Sequence, residues 1–293
     1  MNKPTTFDQF WKLTLQQLEK VPTDYQAELE THKNSIACYS LSFPSFENHI
    51  IHGYLLTHTD NVNRPVVIHT HGYNGQCDIM WSWAEKGLNV VGIDLRGFGR
   101  SRDTIETHPE GWILTGIDQP ETSILRGAIC DYLRAILIAK AYFNNSGSKI
   151  IYAGFSLGAT MAMIASSLTD DADLISAGVP SLGWMEGRRR YVRAGSGQEV
   201  NHFIRQHPEK EAQIMKTLNH FDTVHFAGNI TAPTLIGIGK KDIIVPAETV
   251  WPIVEQLRCS YSVREFPYSH SNQPEEALWK GFEDEWLQLA IRN

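Results

Sequence analysis

No run of lysine and arginine in this chain exceeds the triplet Arg188-Arg189-Arg190, and the formal net charge is −7 over 293 residues. Binding a phosphate backbone needs a basic face, so a nucleic-acid partner is not expected. Apolar runs fall well short of the ~20 residues that a membrane-spanning helix requires. The stretch Met1-Asn2-Lys3-Pro4-Thr5-Thr6-Phe7-Asp8 has no apolar centre of the signal-peptide kind. A cytoplasmic protein with no membrane partner is the expectation. Cysteine is scarce: Cys38, Cys77, Cys130 and Cys259 are scattered with no C-x-x-C spacing, which predicts neither a zinc site nor a disulfide framework. Reduced thiols suit the cytoplasm, and no metal or cofactor is implied. Gly97-x-Gly99 lacks the third glycine of a dinucleotide loop, and G-x-x-x-x-G-K-[ST] is missing, so nucleotide binding is set aside.

The composition that is present, 42% hydrophobic and 20% charged, is ordinary for a globular chain long enough to bury a sizeable core. Thr6 or Asp8 can cap a first helix through about residue 20, with Phe7, Phe10, Trp11 and Leu15 on one face and Pro22 ending it. Residues 36–43 and 49–57 are β-rich runs around Pro44 and Asn48, a hairpin pattern. From Pro65 strands alternate with helices. Strands are expected at 66–68, 89–93, 150–155, 174–179, 234–238 and 261–266, with helices at 79–85, 121–143, 247–257 and 275–291. Residues 181–226 break the rhythm, reading as helical and polar with no strand signal, as a lid inserted between strands would. The fold class is α/β: a mostly parallel, doubly wound sheet with helices on both faces, in a single domain of residues 1–293. Residues 1–60 form an N-terminal helix and hairpin extension. Ligands of such sheets sit at the carboxyl ends of the strands.

One of those ends carries Gly154-Phe155-Ser156-Leu157-Gly158, a G-x-S-x-G at a strand-to-helix corner, which is the nucleophile elbow of α/β-hydrolases. Glycines on either side permit the sharp turn, because a Cβ there would collide with the neighbouring strand and helix. A serine hydroxyl becomes a nucleophile only when an oriented base takes its proton. The chain order in this fold is Ser, then Asp or Glu, then His. Asp242 follows the strand at 234–238, and His270 lies in the loop before the closing helix, so the expected triad is Ser156, Asp242 and His270. The oxyanion needs two backbone donors. These are expected at Leu157, on a helix start whose dipole assists, and at Tyr73 in the loop Gly72-Tyr73-Asn74-Gly75. Tyr73 and Pro180 are the candidate substrate contacts, the Tyr73 side chain forming a wall of the pocket.

The chain resembles the acetyl xylan esterase and cephalosporin-C deacetylase group, carbohydrate esterase family seven. The likeness runs from Phe7-Asp8-Gln9-Phe10-Trp11 through His71-Gly72-Tyr73 and Asp94-Leu95-Arg96-Gly97-Phe98-Gly99-Arg100-Ser101. It continues in Arg126-Gly127-Ala128 with Asp131, the elbow, Val179-Pro180-Ser181-Leu182, Phe203-Ile204-Arg205-Gln206-His207-Pro208 and Phe221-Asp222, and ends at Asp242 and His270. The resemblance implies the same triad and oxyanion amides. It also implies a small-molecule ester substrate carrying short acyl groups, chiefly acetyl, on sugars or cephalosporins, and a ring-like homo-hexamer. The family usually has Gln where Leu157 and Phe98 stand and Glu where Ser271 stands. All three changes remove a polar group near the site, which predicts a more apolar pocket, open to longer acyl chains or non-sugar alcohols.

Two other classes compete. His69 and His71 form an H-x-H at a strand end, where alternate side chains share a face and could begin a metallohydrolase site. No further motif completes it, and the simpler role is support of the loop that carries Tyr73. A non-catalytic α/β-hydrolase serving as a binding protein would usually have lost a triad member, and here all three positions are filled.

Overall fold

The computed structural model describes residues 3–60, 62–143, 148–267 and 273–292. The chain opens with helix α1 (Phe7–Leu18), which buries Phe7, Phe10, Trp11 and Leu18 along one face. Neither expected cap is made: Thr6 occupies the cap position without a side-chain bond to the helix. Its hydroxyl pairs with His220 Nε2 at 2.9 Å instead. Asp8 lies in the first turn, where it meets Lys3.

Strands β1 (Gln26–Lys33), β2 (Ile36–Pro44) and β3 (Ile50–His58) form an antiparallel meander. β2 and β3 are the expected hairpin. β1 was not expected, because its sequence QAELETHK is exposed along nearly its whole length and shows no apolar alternation. It is an edge strand held by pairing to β2 rather than by burial. β3 then pairs antiparallel with β5 (Asn89–Asp94), whose other neighbour is β4 (Val66–Thr70). Beyond β4 the sheet continues in parallel through β6 (Ile150–Phe155), β7 (Leu174–Gly178), β8 (Thr234–Gly239) and β9 (Tyr261–Phe266). Among the described residues the order is β1-β2-β3-β5-β4-β6-β7-β8-β9. All of β4, β5, β7 and β8 is buried, as continuous apolar strands covered on both faces should be.

Helices α2 (Trp81–Glu85) and α10 (Gln273–Arg292) cover one face, where Trp83 and Leu287 join Val67, Val90 and Ile151 in a common core. α3 (Ile124–Phe143) and α4 (Leu157–Leu168) belong to the larger core of the other face, together with α1. The region expected to be helical yields α5 (Met185–Tyr191), α6 (Ser196–Gln206), α7 (Glu211–Leu218) and α8 (Val224–Ala227). Helix α9 (Ala247–Gln256) joins β8 to β9.

Buried polar contacts lock the scaffold. Arg96 and Asp131, both almost fully buried, pair at 2.8 Å. Ser45 Oγ donates to the same carboxylate at 2.6 Å, and Arg96 also donates to the Phe46 carbonyl. Residue 127 must be glycine, since a Cβ there would lie 2.2 Å from the Arg96 guanidinium. Arg126 reaches Thr14 Oγ1 at 2.9 Å and Gln17 Oε1 at 2.7 Å, tying α1 to α3. Asp94 accepts the amides of Cys77 and Arg100, which fixes the loops after β4 and β5. The residues that carried the family resemblance in these stretches are thus structural.

Candidate active site

The connection from β4 goes to β5 on one side of it, while β6 pairs with its other side, so the order reverses there. A crevice opens at such a reversal, at the carboxyl ends of the strands. Two segments meet in it: the turn after β4 and the corner between β6 and α4.

The corner is built from backbone. Ser156 has φ 54° and ψ −110°, a conformation that a side-chain-bearing residue holds only when its surroundings force it. The forcing contacts are visible. A Cβ on Gly154 would lie 2.2 Å from the Gly158 carbonyl carbon, and one on Gly158 would lie 2.4 Å from the Thr70 oxygen. The Ser156 amide donates to the Gly178 carbonyl at 2.7 Å, and its own carbonyl accepts from Thr160 and Ser181. Val179 also has a positive φ, 54°, unusual for a β-branched residue. Buried Pro180 follows it and so lies beside the corner, since the Ser181 amide bonds the Ser156 carbonyl. The Thr160 hydroxyl holds this segment by accepting from the amides of Ser181 and Leu182.

The turn after β4 is held by side chains. A Cβ on Gly72 would stand 3.5 Å from the Ser156 Cβ, so the main chain at Gly72 passes close beside the serine. His71 Nε2 accepts the Leu95 amide at 3.1 Å, which puts its proton on Nδ1, where it is donated to the Gly72 carbonyl at 2.7 Å. Burial lowers the His71 pKa, so the ring is neutral and both nitrogens are occupied. Tyr73 Oη donates to Glu199 Oε2 at 2.5 Å and accepts the Ile113 amide at 3.1 Å. Burial and the Glu199 carboxylate raise the phenol pKa far above its usual range. Phe98 stacks on Trp112 at 4.8 Å, and both rings meet the Tyr73 ring edge-on, at 5.6 and 5.8 Å. Leu157 is buried and begins α4, so its amide belongs to the first turn, whose donors lack intrahelical acceptors.

Asp242 follows β8 and is buried; its Oδ1 accepts the amides of Ile244 and Val245 at 2.8 and 2.9 Å. Those bonds shape an Asx turn ahead of α9, whose cap is Pro246. His270, expected as base, and Ser271 lie outside the described residues.

The H-x-H does not form a ligand pair. His71 is occupied as described, and fully buried His69 meets the Tyr54 hydroxyl at 2.5 Å and packs edge-on against Trp83. Burial pushes its pKa down to about 3. Both imidazoles are supports, in line with the simpler of the two expectations. Among the described residues no group of three or more His, Cys, Asp or Glu could hold a metal ion.

Three contributions had no sequence signal. Glu199 reaches Tyr73 across 126 positions of sequence. The Arg193 amide donates to the Ile243 carbonyl at 2.8 Å, so the inserted helices also touch the Asp242 turn. Buried Glu283 lines a cavity of about 340 Å3 beside the Tyr73 turn, together with His69, Cys77 and Phe155. Its carboxyl accepts from Ser176 Oγ at 2.6 Å, and burial pushes its pKa up to about 7.

No helix among the described residues is long and apolar enough to cross a membrane. Known proteins share this architecture. The structure of an acetyl xylan esterase from Paenibacillus sp. R4 superposes with a TM-score of 0.86 at 26% identity, covering 97% of this chain and 96% of that one. Acetyl xylan esterase 1 from Thermoanaerobacterium sp. JW/SL YS485 superposes at 0.89 with 20% identity over 99% of this chain and 94% of that one, which shows the α/β-hydrolase fold. The acetyl esterase Axe7A of Xylanibacter ruminicola is 25% identical over 271 residues, 86% of this chain. The chain spans 60% of the length of that curated relative. The acetyl xylan esterase (AXE1) family profile matches residues 1–287, and the chain belongs to that family.

Proposed function

We propose that this chain is a serine esterase that removes short acyl groups, acetyl foremost, from small-molecule esters such as acetylated sugars or cephalosporin-like compounds. The observation that carries the reading is the forced backbone of Ser156, held against the Gly72–Tyr73 turn at the reversal of strand order. In this reading His270 takes the Ser156 hydroxyl proton as Oγ attacks the ester carbonyl, and Asp242 orients the imidazole. The amides of Tyr73 and Leu157 receive the oxyanion; neither donates to a backbone acceptor among the described residues. The carbonyl–oxygen bond to the alcohol then breaks, and the alcohol leaves with the proton from His270. Water, deprotonated by the same imidazole, hydrolyses the acyl-serine. No metal or cofactor takes part. Tyr73 and Pro180 contact the substrate, and residues 181–226 act as a lid within a single domain. The four unpaired thiols support a reducing, cytoplasmic setting, and the family resemblance supports a homo-hexamer.

A second reading concerns acyl length. Phe98, where the family usually has Gln, joins Trp112 in an apolar wall against Tyr73. That wall favours longer acyl chains or less polar alcohols. A panel of p-nitrophenyl esters from acetate to octanoate, run beside an acetylated xylo-oligosaccharide, separates the two. A maximum at acetate with sugar deacetylation supports the first, and a maximum at butyrate or beyond without it supports the second. No hydrolysis of any of these esters contradicts both.

A further inference from the structure

Glu199 stands in the first turn of α6, and its Oε2 lies 2.5 Å from the Tyr73 phenol oxygen. The phenol has one proton and gives it to this carboxylate, which leaves its lone pairs for the Ile113 amide at 3.1 Å. Three segments distant in sequence, the turn at 71–75, the short helix Trp112–Leu114 and α6, therefore converge on one oxygen atom. The carboxylate fits because residue 111 is glycine: a Cβ there would lie 2.3 Å from Oε2. Glu199 is half-buried, and burial raises its pKa, which its bond to Tyr73 partly offsets. A hydrogen bond from a phenol to a half-buried carboxylate is stronger and shorter than a neutral one. With its oxygen fixed at one end and its ring edge-on to Phe98 and Trp112, Tyr73 cannot swing without moving the main chain that abuts Ser156.

We propose that Glu199 is a positioning residue: through the Tyr73 phenol it fixes the Tyr73 amide where the oxyanion develops, so the inserted helix α6 completes the oxyanion hole from outside. This rests on the reading of Ser156 as nucleophile and of the Tyr73 amide as oxyanion donor. Glu199 itself touches neither substrate nor the reacting atoms. A donor aimed at the developing oxyanion gains most of its strength in the transition state, so its misplacement lowers kcat and leaves KM nearly unchanged. A merely structural contact would instead change melting temperature without that split.

The test compares the full-length chain with Glu199→Gln, Tyr73→Phe and the double variant. The measurements are kcat and KM on p-nitrophenyl acetate, the rate of phosphonylation by a fluorophosphonate, and melting temperature. Glu199→Gln keeps the side chain's shape but offers the phenol a weaker acceptor. Each single variant is expected to lose about tenfold in kcat, with KM within twofold and phosphonylation slowed in parallel. The double variant is expected to lose no more than the worse single, because both act through one bond. Unchanged kcat in both single variants, or losses that multiply in the double, overturns the proposal. If Glu199→Gln fails to fold, Tyr73→Phe carries the same test, since it removes the bond from the other side. Failure of the underlying reading shows differently: a Ser156→Ala chain that keeps its esterase activity would remove the basis of the proposal.

Discussion

The corner at Ser156 and the turn at residues 71–75 lie in contact, yet they are held by opposite means. The corner is fixed by backbone packed on backbone: Gly154 against Gly158, and Gly158 against the Thr70 carbonyl. The turn is fixed by side chains from afar, with His71 on the Leu95 amide and Tyr73 on Glu199 and Ile113. Backbone close packing imposes glycine at fixed offsets and so writes itself into a local motif. A long-range side-chain clamp imposes nothing on the neighbouring sequence. The first kind of site element is legible in a single chain; of the second, the turn and Tyr73 could be placed, but not the partners Glu199 and Ile113 that clamp it.

The comparison can be sharpened by a change that disturbs neither element. Asp242→Asn should leave the corner and the turn intact while removing the carboxylate proposed to orient the base. A fall of roughly 10^4 in kcat is expected, with melting temperature nearly unchanged; steady-state kinetics and a thermal scan check it. Gly158→Ala breaks both elements at once, since its methyl would meet the Thr70 oxygen at 2.4 Å and the His71 oxygen at 3.0 Å. A cost of about 3 kcal/mol is expected, read by denaturant unfolding together with loss of activity. His71→Phe attacks the turn alone. It strands the Leu95 amide, for a cost of about 2 kcal/mol, and lowers kcat while phosphate-buffered far-ultraviolet dichroism still shows the native fold.

Glu283, which lines the cavity beside the turn, tests burial of a charge and not the hold on either element. Its folded-state pKa of about 7 lies above the ordinary 4.5. The folded chain therefore holds this proton more tightly than the unfolded chain, and stability falls as pH rises between those values. Glu283→Gln stays neutral, so the variant should be the more stable chain above pH 7, by up to about 3 kcal/mol. The difference should vanish below the ordinary carboxyl range. Melting temperatures at pH 4 and pH 8 decide it.

The same distinction governs the rest of the fold. β4 to β8 were legible because strands buried on both faces must be apolar throughout or nearly so, and the helices between them show helical spacing; β9, a largely exposed edge strand, was read from its place in the strand-and-helix alternation. β1 was not, because an exposed edge strand such as Gln26–Lys33 needs no apolar pattern. Thr6 looked like a helix cap, but its hydroxyl is drawn to His220, a partner that no local rule reveals. Ser156 and Asp242 could be placed because each follows a readable strand directly. Arg96 and Asp131 entered only through resemblance to relatives, since a buried ion pair between a loop and α3 leaves no spacing rule. The H-x-H misleads for a related reason: spacing brings two imidazoles to one strand end, but burial and bonded neighbours decide whether they have lone pairs to give.

The central claim is that the hydroxyl at the strained corner becomes acylated. Labelling the folded protein with a fluorophosphonate and mapping the adduct by mass spectrometry tests it most directly. The account predicts a single adduct on the peptide that contains Ser156, absent from Ser156→Ala. An unlabelled but folded protein, or an adduct on any other residue, would contradict it.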